Sequence, residues 1–159
     1  MMAADPPEVD LFVIGGGPAG LATAIAARRA GLKVTLADGH QPPVDKACGE
    51  GLLPDAVAAL EALGLAVTGY PLRGIRFFAG DLSAQADFPN RPGVGIRRLE
   101  LHNLLREHAG RAGVNLLWGH PVSGLEEVSA KWIIGADGAS SRVRKWAGLA
   151  WPCGRRGRW

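Results

Sequence analysis

The apolar residues of this chain fall in short blocks, most of which end at a glycine. Residues 9–14 form an apolar run of strand length that stops at three consecutive glycines. An alanine-rich segment follows at 18–30, and Gly31 is a typical residue for a helix end. The β-branched run at 34–36 then leads to Asp38. The pattern therefore predicts a strand, a glycine turn, a helix and a second strand in immediate succession.

The rest of the chain alternates between helical and strand patterns. Residues 54–63 and 99–112 have the apolar spacing of amphipathic helices, and each is followed by glycine. A short basic helix is predicted at 140–148 and a loop at 39–47. The remaining apolar runs predict strands at 73–79, 82–88, 94–97, 114–118, 122–125 and 130–135. We therefore predict an α/β fold with a central parallel sheet and a small β-rich insertion near 71–97.

The glycines after the first strand have the spacing of a nucleotide-binding turn. Gly15 permits a tight turn, Gly17 lets the backbone approach a pyrophosphate, and Gly20 lets the helix pack closely on the strand. Pro18 stands where a missing N–H costs little, and the helix dipole favours phosphate there. Asp38 can accept hydrogen bonds from ribose hydroxyls and would repel the 2′-phosphate of NADP. These features predict binding of the ADP part of a dinucleotide; a glycine-rich loop of an unrelated α/β protein is the alternative.

Composition and charge narrow the class of protein. The chain has 159 residues, enough for one domain with a core, and an apolar content of 47% that is typical of globular proteins. A net charge of +3 is too small to indicate nucleic-acid binding. Glycines interrupt the uncharged stretch at 11–27, so we expect no membrane span. Cys48 and Cys153 form no metal-ligand pattern and no disulfide framework, which predicts no metal site and a cytoplasmic location.

Four sequence motifs occur in the order found in one family of flavoproteins. They are GGGPAG at 15–20 followed by Asp38, CGEGLLP at 48–54, RLELHNLL at 98–105 and GADGASSRVR at 135–144. With these motifs the chain resembles the N-terminal half of FAD-dependent oxidoreductases related to para-hydroxybenzoate hydroxylase, closest to its geranylgeranyl-reductase-like and halogenase-like members. The resemblance implies a Rossmann-like FAD/NAD(P)-binding domain over residues 1–150, with the start of a substrate-side β segment near 71–97, and an unstructured tail at 151–159.

The resemblance also implies a set of cofactor-binding residues, in which the glycine motif lines the pyrophosphate of FAD. In this set Arg98 reaches the phosphate and ribityl region, and Val122 offers backbone contacts to adenine. Asp137 and Gly138 form the second nucleotide motif, which serves both FAD and the reducing nicotinamide nucleotide, and Cys48 packs near the isoalloxazine ring. The whole set is Gly15, Gly17, Pro18, Ala19, Gly20, Asp38, Cys48, Arg98, Val122, Asp137 and Gly138.

Several of these residues have simpler interpretations. Arg98 could be a surface arginine at a helix end, and Arg97 competes with it for the same role. An Asp-Gly pair such as 137–138 is most often a turn. Cys48 is expected to make a small apolar contact rather than to act chemically. His102, inside the helix, is expected to be a structural residue rather than a base.

Two departures from the family affect the predicted function. Nothing after Asp137 matches the third FAD motif of the family, a Gly-Asp pair followed by small residues. Only residues 126–129 separate the last two predicted strands, where members of the family have room for a β-hairpin. The sequence is therefore expected to be a truncated flavoprotein.

Two hypotheses on function follow from the resemblance. The first is an FAD-binding oxidoreductase of the NAD(P)H-dependent monooxygenase or reductase type, or its N-terminal FAD-binding portion, acting on a small aromatic or isoprenoid molecule. Hydroxylation, halogenation and reduction are all open as outcomes, and no catalytic residue is identified. The second hypothesis is a non-catalytic nucleotide-binding module that needs a partner chain to complete its site.

Overall fold

The computed structural model describes residues 9–46 and 48–150. In chain order the elements are β1 Leu11–Ile14, α1 Pro18–Arg29, β2 Val34–Asp38, β3 Gly51–Leu52, α2 Pro54–Ala62, β4 Tyr70–Leu72, β5 Gly74–Ala79, β6 Leu82–Asp87, β7 Gly93–Gly95, α3 Arg98–Arg111, β8 Asn115–Trp118, β9 Trp132–Gly135 and α4 Arg142–Trp146. No helix within these ranges combines the length and the apolar character needed to cross a bilayer.

A four-stranded parallel sheet forms the centre of the molecule, with its strands in the order β8-β2-β1-β9. Leu11 of β1 is in register with Val34 of β2 on one side and with Trp132 of β9 on the other. Parallel neighbours need a crossover, and α1 supplies it between β1 and β2. The predicted α/β fold with a central parallel sheet is confirmed.

The main core lies between this sheet and the helices α1 and α3. Leu21 and Ile25 of α1, Leu36 of β2 and Leu105 of α3 are all fully buried. Leu101 and Leu105 share one face of α3 because residues four apart lie on the same side of a helix. Burial of each large side chain contributes about 1.5–3 kcal/mol to stability. These contacts fix α1 and α3 against the sheet, and with them the turn that joins β1 to α1.

The β-rich insertion lies between α2 and α3, apart from its first strand. β3, β7 and β4 form a small antiparallel sheet in that order, and β5 and β6 form a separate hairpin. Gly80, with a φ of +61°, and Asp81 make the hairpin turn, as predicted. All residues of β6 are exposed. The small β-rich insertion is confirmed, and its hairpin presents both faces to solvent.

The prediction of a strand at 122–125 is wrong. Val122 is buried with Ile14 and Ala37 on the second face of the central sheet, and Leu125–Glu127 forms a single 3₁₀ turn. The N–H of Ser123 donates to the carboxylate of Glu127 at 3.0 Å. The segment therefore crosses over the sheet and bonds locally instead of pairing with a strand.

Smaller differences concern the ends of elements. The strand predicted at 94–97 spans only Gly93–Gly95, and the N–H of Ile96 after it donates to the carbonyl of Glu50. The helix predicted at 140–148 is Arg142–Trp146, which begins where the Ser141 hydroxyl accepts from a backbone N–H. Short strands β3 and β4 were not predicted. The predicted tail at 151–159 lies outside the described residues.

Candidate nucleotide-binding site

The glycine turn, residues 15–20, is shaped by close contacts within the chain. Gly15 has a φ of +114°, and a methyl group there would overlap the backbone of Ala136 at the end of β9. A methyl group on Gly20 would overlap the carbonyl of Gly15. Both positions therefore need glycine so that α1 can pack against β1 and β9.

Gly17 has a different environment from these two glycines. It precedes α1 with a φ of −72° and a ψ of 178°, which any residue can adopt. A methyl group at this position would meet no described atom within 4 Å. Pro18 begins α1, and Ala19 beside it is exposed. The bare backbone leaves a cradle at the positive end of the helix, where a phosphate is favoured.

Asp38, at the carboxyl end of β2, is tied to the glycine turn. Its Oδ2 accepts from the N–H of Gly16 at 2.7 Å, and its Oδ1 accepts from the N–H of His40 at 2.9 Å. Burial raises the pKa of the Asp38 carboxyl, but the hydrogen bonds from His40 and Gly16 outweigh it and hold that pKa below its usual value. The carboxylate is thus charged at neutral pH and can accept further hydrogen bonds.

The Asp38 cleft, of about 160 Å³, opens at the carboxyl ends of β1, β2 and β9. Parallel sheets bind ligands at this edge. Four of the predicted cofactor-binding residues meet here, namely Gly15, Asp38, Val122 and Asp137. The full lining is Ile14, Gly15, Ala37, Asp38, Gly39, His40, His120, Pro121, Val122, Ala136, Asp137, Ser140 and Arg142.

Asp137 is anchored at the start of α4. Its Oδ2 accepts from the N–H groups of Arg142 at 2.6 Å and Val143 at 3.1 Å, while Oδ1 is buried with no partner among the described residues. Burial raises the pKa of the Asp137 carboxyl, but hydrogen bonds from the Ser141 side chain and from the backbone of Val143 and Arg142 outweigh it and hold that pKa below its usual value. Gly138 follows with a φ of +86°. Asp137 thus combines a structural contact with one oxygen that can accept from a ligand.

Arg98 is directed inward from the first turn of α3. It is only 7% exposed, whereas Arg97 is exposed. The backbone N–H of Arg98 donates to the carboxylate of Glu50 at 3.1 Å, and the buried Nη1 of its guanidinium has no partner among the described residues. Together with Asp45, Lys46, Cys48 and Glu50 it lines a recess of about 340 Å³, the Arg98 pocket. Cys48 is exposed at this pocket.

His102 and Trp118 are site residues whose contacts the sequence did not predict. His102 is fully buried, as expected of a structural helix residue, and its Nε2 lies 2.9 Å from the carbonyl oxygen of Gly16. Its ring meets Trp118 edge-on with 5.7 Å between centroids. Arg98 and His102 are four residues apart and therefore lie on one face of α3, and this spacing is the signal from which a shared target could have been predicted.

Comparison with known proteins places this geometry in a family. The FAD binding domain family matches residues 8–127 of the chain. The chain belongs to this family. The predicted resemblance to FAD-dependent oxidoreductases is confirmed. Within residues 9–46 and 48–150 there is no group of His, Cys, Asp or Glu side chains suited to a metal ion.

Individual relatives of this FAD binding domain include reductases and a halogenase. It is 34% identical to the menaquinone reductase of Mycobacterium tuberculosis, over 91% of this chain and 41% of that protein. A geranylgeranyl bacteriochlorophyll reductase-like protein of Thermoplasma acidophilum superposes with a TM-score of 0.74 and 26% identity, over 89% of this chain and 42% of that one. A myxobacterial chondrochloren halogenase gives 0.76 and 25%, over 86% and 39%. The chain thus spans less than half the length of these relatives.

The residues of this FAD binding domain fit the cofactor in three respects. At Gly17 the bare backbone forms a cradle, which a side chain at this position would fill. Arg98 has a buried guanidinium N–H without a partner among the described residues, and a guanidinium suits phosphate and hydroxyl oxygens. Asp137 has a buried carboxylate oxygen that also lacks a partner among the described residues, and such an oxygen suits a hydroxyl donor. Because buried polar atoms normally have partners, a cofactor could supply the partners of these two atoms.

Proposed function

We propose that this chain binds FAD at the glycine turn and forms the cofactor-binding part of an NAD(P)H-dependent flavoprotein oxidoreductase. The observation that carries the proposal is the open backbone at Gly17. Neighbouring glycines are required by contacts inside the chain, but nothing among the described residues requires one at Gly17. A glycine that packing does not need, at a helix N-terminus, is best explained by a ligand that approaches the backbone.

The rest of the cofactor would extend from this cradle into the two recesses beside it. The Asp38 cleft would hold the adenosine, with the Asp38 carboxylate accepting from the ribose and the backbone at Val122 facing adenine. Arg98 would donate to the phosphate and ribityl oxygens, and Asp137 would accept from a hydroxyl. Cys48 would lie towards the flavin end. Pro18, Ala19 and Gly138 would complete the backbone wall.

FAD, when bound, supplies hydride transfer, and the protein supplies position and electrostatics. We propose NAD(P)H as the reductant. We also propose a small aromatic or isoprenoid molecule as the substrate, because relatives of this chain carry the names of a menaquinone reductase, a geranylgeranyl reductase-like protein and a halogenase. The proposed domain covers residues 1–150, and the proposed location is the cytoplasm. The segment near 71–97 is proposed to face the substrate side.

The direct test is binding of FAD and its fragments to the purified chain. We expect retained flavin absorbance after mixing with FAD and desalting, and calorimetric binding of both FAD and ADP. Because Asp38 would repel an added phosphate, ADP carrying a 2′-phosphate should bind at least about tenfold more weakly than ADP. Absence of binding by FAD and ADP would remove the proposal, and equal binding with and without the 2′-phosphate would remove the role of Asp38.

The β5–β6 hairpin favours a second candidate, a module that acts only with a partner chain. Ile75, Phe77 and Leu82 are exposed on one face of this hairpin, and contiguous exposed apolar surface is typical of interaction sites. NAD(P)H oxidation in the presence of added FAD and a panel of aromatic and isoprenoid acceptors distinguishes the candidates. Acceptor-dependent oxidation above the rate of free flavin supports the oxidoreductase. Tight FAD binding without such oxidation supports the partner-dependent module.

A further inference from the structure

The glycine turn is contacted from inside the protein by one buried polar side chain. His102 of α3 is 0% exposed, and its Nε2 lies 2.9 Å from the carbonyl oxygen of Gly16. A carbonyl oxygen can only accept, so Nε2 must carry the ring proton and donate it to this bond. The other ring nitrogen, Nδ1, is buried and has no partner among the described residues. The single hydrogen bond of this buried ring is therefore directed at the turn.

The neighbours of His102 hold Gly16 from other sides. The N–H of Gly16 donates to Oδ2 of Asp38 at 2.7 Å. The ring of Trp118 contacts His102 edge-on and occupies the space that a side chain at Gly16 would take. Gly16 is thus fixed through its N–H, its Cα and its carbonyl, each by a different element of the fold.

The carbonyl of Gly16 and the N–H of Gly17 belong to one peptide group. In a trans peptide these two groups point in opposite directions across a rigid plane. Because His102 holds the carbonyl towards the core, the N–H of Gly17 is turned away from the core. A methyl group at Gly17 meets no described atom within 4 Å, so the backbone at this residue is open to a ligand. An inward hydrogen bond therefore sets the direction of an outward donor.

We infer that His102 is a positioning residue that orients the Gly16–Gly17 peptide so that its N–H faces the pyrophosphate of a bound nucleotide. The inference rests on the proposed FAD function. Arg98, one helical turn earlier on the same face of α3, has its Nη1 unpaired among the described residues. The same helix face thus supplies one group that anchors the turn and one that is available to the ligand.

A matched pair of amides in the full chain tests this inference. In His102→Gln the amide nitrogen stands as many bonds from Cβ as Nε2 does, so it can still reach the Gly16 carbonyl. In His102→Asn the nitrogen is one bond shorter and cannot. We expect His102→Gln to bind ADP within about threefold of the wild type and His102→Asn to bind it about tenfold more weakly. His108→Asn, on the same helix but away from the turn, should bind like the wild type.

Amide hydrogen exchange supplies a readout that does not need a ligand. The N–H of Gly16 should exchange faster in His102→Asn than in the wild type or His102→Gln, while amides of the sheet keep their rates. If His102 only filled the core, both substitutions would lower the stability of the protein alike and leave the ADP affinity of the folded protein unchanged. If the Asn variant does not fold, His102→Phe, which retains a ring beside Trp118 but has no N–H, replaces it with the same expectation.

The outcomes separate this inference from the proposed function. Wild-type binding of ADP with equal binding by His102→Asn and His102→Gln would overturn the positioning role and leave the FAD site standing. If the wild type binds neither ADP nor FAD, the proposed function and the inference are overturned together. A tenfold loss in His102→Asn that His102→Gln restores supports both.

Discussion

The glycine turn and the β5–β6 hairpin are both short local structures, yet their surroundings differ greatly. In the turn, a single methyl group at Gly15 or Gly20 would overlap backbone atoms, and Gly16 is held by three other elements. In the hairpin, the adjacent residues Phe77 and Phe78 are 68% and 72% exposed. Adjacent residues of a strand point to opposite faces, so neither face of the hairpin is covered by residues 9–46 or 48–150.

This difference shows which sequence choices the chain itself explains. The identities of Gly15 and Gly20 follow from contacts within the described residues. Gly17 and the hairpin phenylalanines do not, since their surroundings are open. A glycine with open space at a helix N-terminus indicates a small anionic ligand, whereas exposed aromatic side chains indicate a larger apolar surface. Variants at these positions test the two halves of this comparison.

The largest effect is expected for Gly20→Ala. The added methyl group would overlap the carbonyl of Gly15, a backbone atom that cannot move without shifting β1 or α1. We expect the free energy of unfolding to fall by roughly 3 kcal/mol. Urea denaturation followed by circular dichroism measures this loss. Gly110→Ala, where only the tip of Leu116 lies as close as 4.0 Å, is the control and should not destabilise the protein.

Gly17→Ala should separate binding from folding. The methyl group meets no described atom within 4 Å, so the urea midpoint should stay close to that of the wild type. A methyl group in the cradle would stand where the pyrophosphate approaches, and we expect ADP affinity to fall by roughly 2–3 kcal/mol. Calorimetry with ADP measures the loss. Unchanged affinity in a folded variant would place the phosphate elsewhere.

Asp38→Ala should weaken binding of ADP or FAD by roughly 1–3 kcal/mol, because a buried ribose hydroxyl loses a charged acceptor. The same change removes the acceptor of the Gly16 N–H, so some loss of stability is expected as well. Asp38→Asn keeps an acceptor oxygen for Gly16 and isolates the effect of charge. Calorimetry on both variants measures the difference, and equal affinity of wild type and Asp38→Ala would make the assignment of the ribose wrong.

Local patterns predicted the local half of this site. The strands β1 and β2, the helix α1 and Asp38 are close in sequence, so spacing alone located them and the glycine turn. The contact of His102 with Gly16 joins residues 86 positions apart, and Arg98 bonds to Glu50 across 48. Such contacts depend on how α3 packs on the sheet, which apolar spacing does not specify.

The missed and misplaced strands have a similar cause. β3 has two residues and β4 has three, too few for an alternating pattern to emerge, and both exist because β7 pairs with them. The apolar residues at 122–125 suggested a strand, but Val122 is buried on a sheet face instead of in a sheet. The apolar character of Val122 serves packing against the sheet and not strand pairing.

The stability of the turn should depend on pH through His102. Burial lowers the pKa of this histidine, aided by the charges of Arg98 and Arg106 and opposed by the Gly16 carbonyl and Asp38. A folded-state pKa below the unfolded value of about 6.5 means that the unfolded chain takes up the proton first. Stability is therefore complete above about pH 6.5 and falls as the pH drops below it. Urea midpoints between pH 7.5 and 5 should decrease less steeply in His102→Gln, and an identical slope would contradict this assignment.

The smallest effect on stability is expected in the hairpin. Phe77→Ser and Phe78→Ser remove side chains that are mostly exposed, so the free energy of unfolding should change by less than about 0.5 kcal/mol each. Leu105→Ala, a fully buried contrast in α3, should cost roughly 2–5 kcal/mol. Urea denaturation of the three variants measures how far the hairpin is uncoupled from the core.

The same hairpin variants should change association much more than stability. Exposed aromatic side chains on both faces of a two-stranded hairpin promote contacts between molecules. We expect the wild type to show a concentration-dependent rise in sedimentation coefficient that the double variant Phe77→Ser, Phe78→Ser reduces, with ADP affinity unchanged because the hairpin lies outside the Asp38 cleft. If the double variant associates as the wild type does, the exposed apolar surface of the hairpin is not what brings molecules together. If it instead loses several kcal/mol of stability, the hairpin packs on the core in solution, and the contrast with the glycine turn disappears.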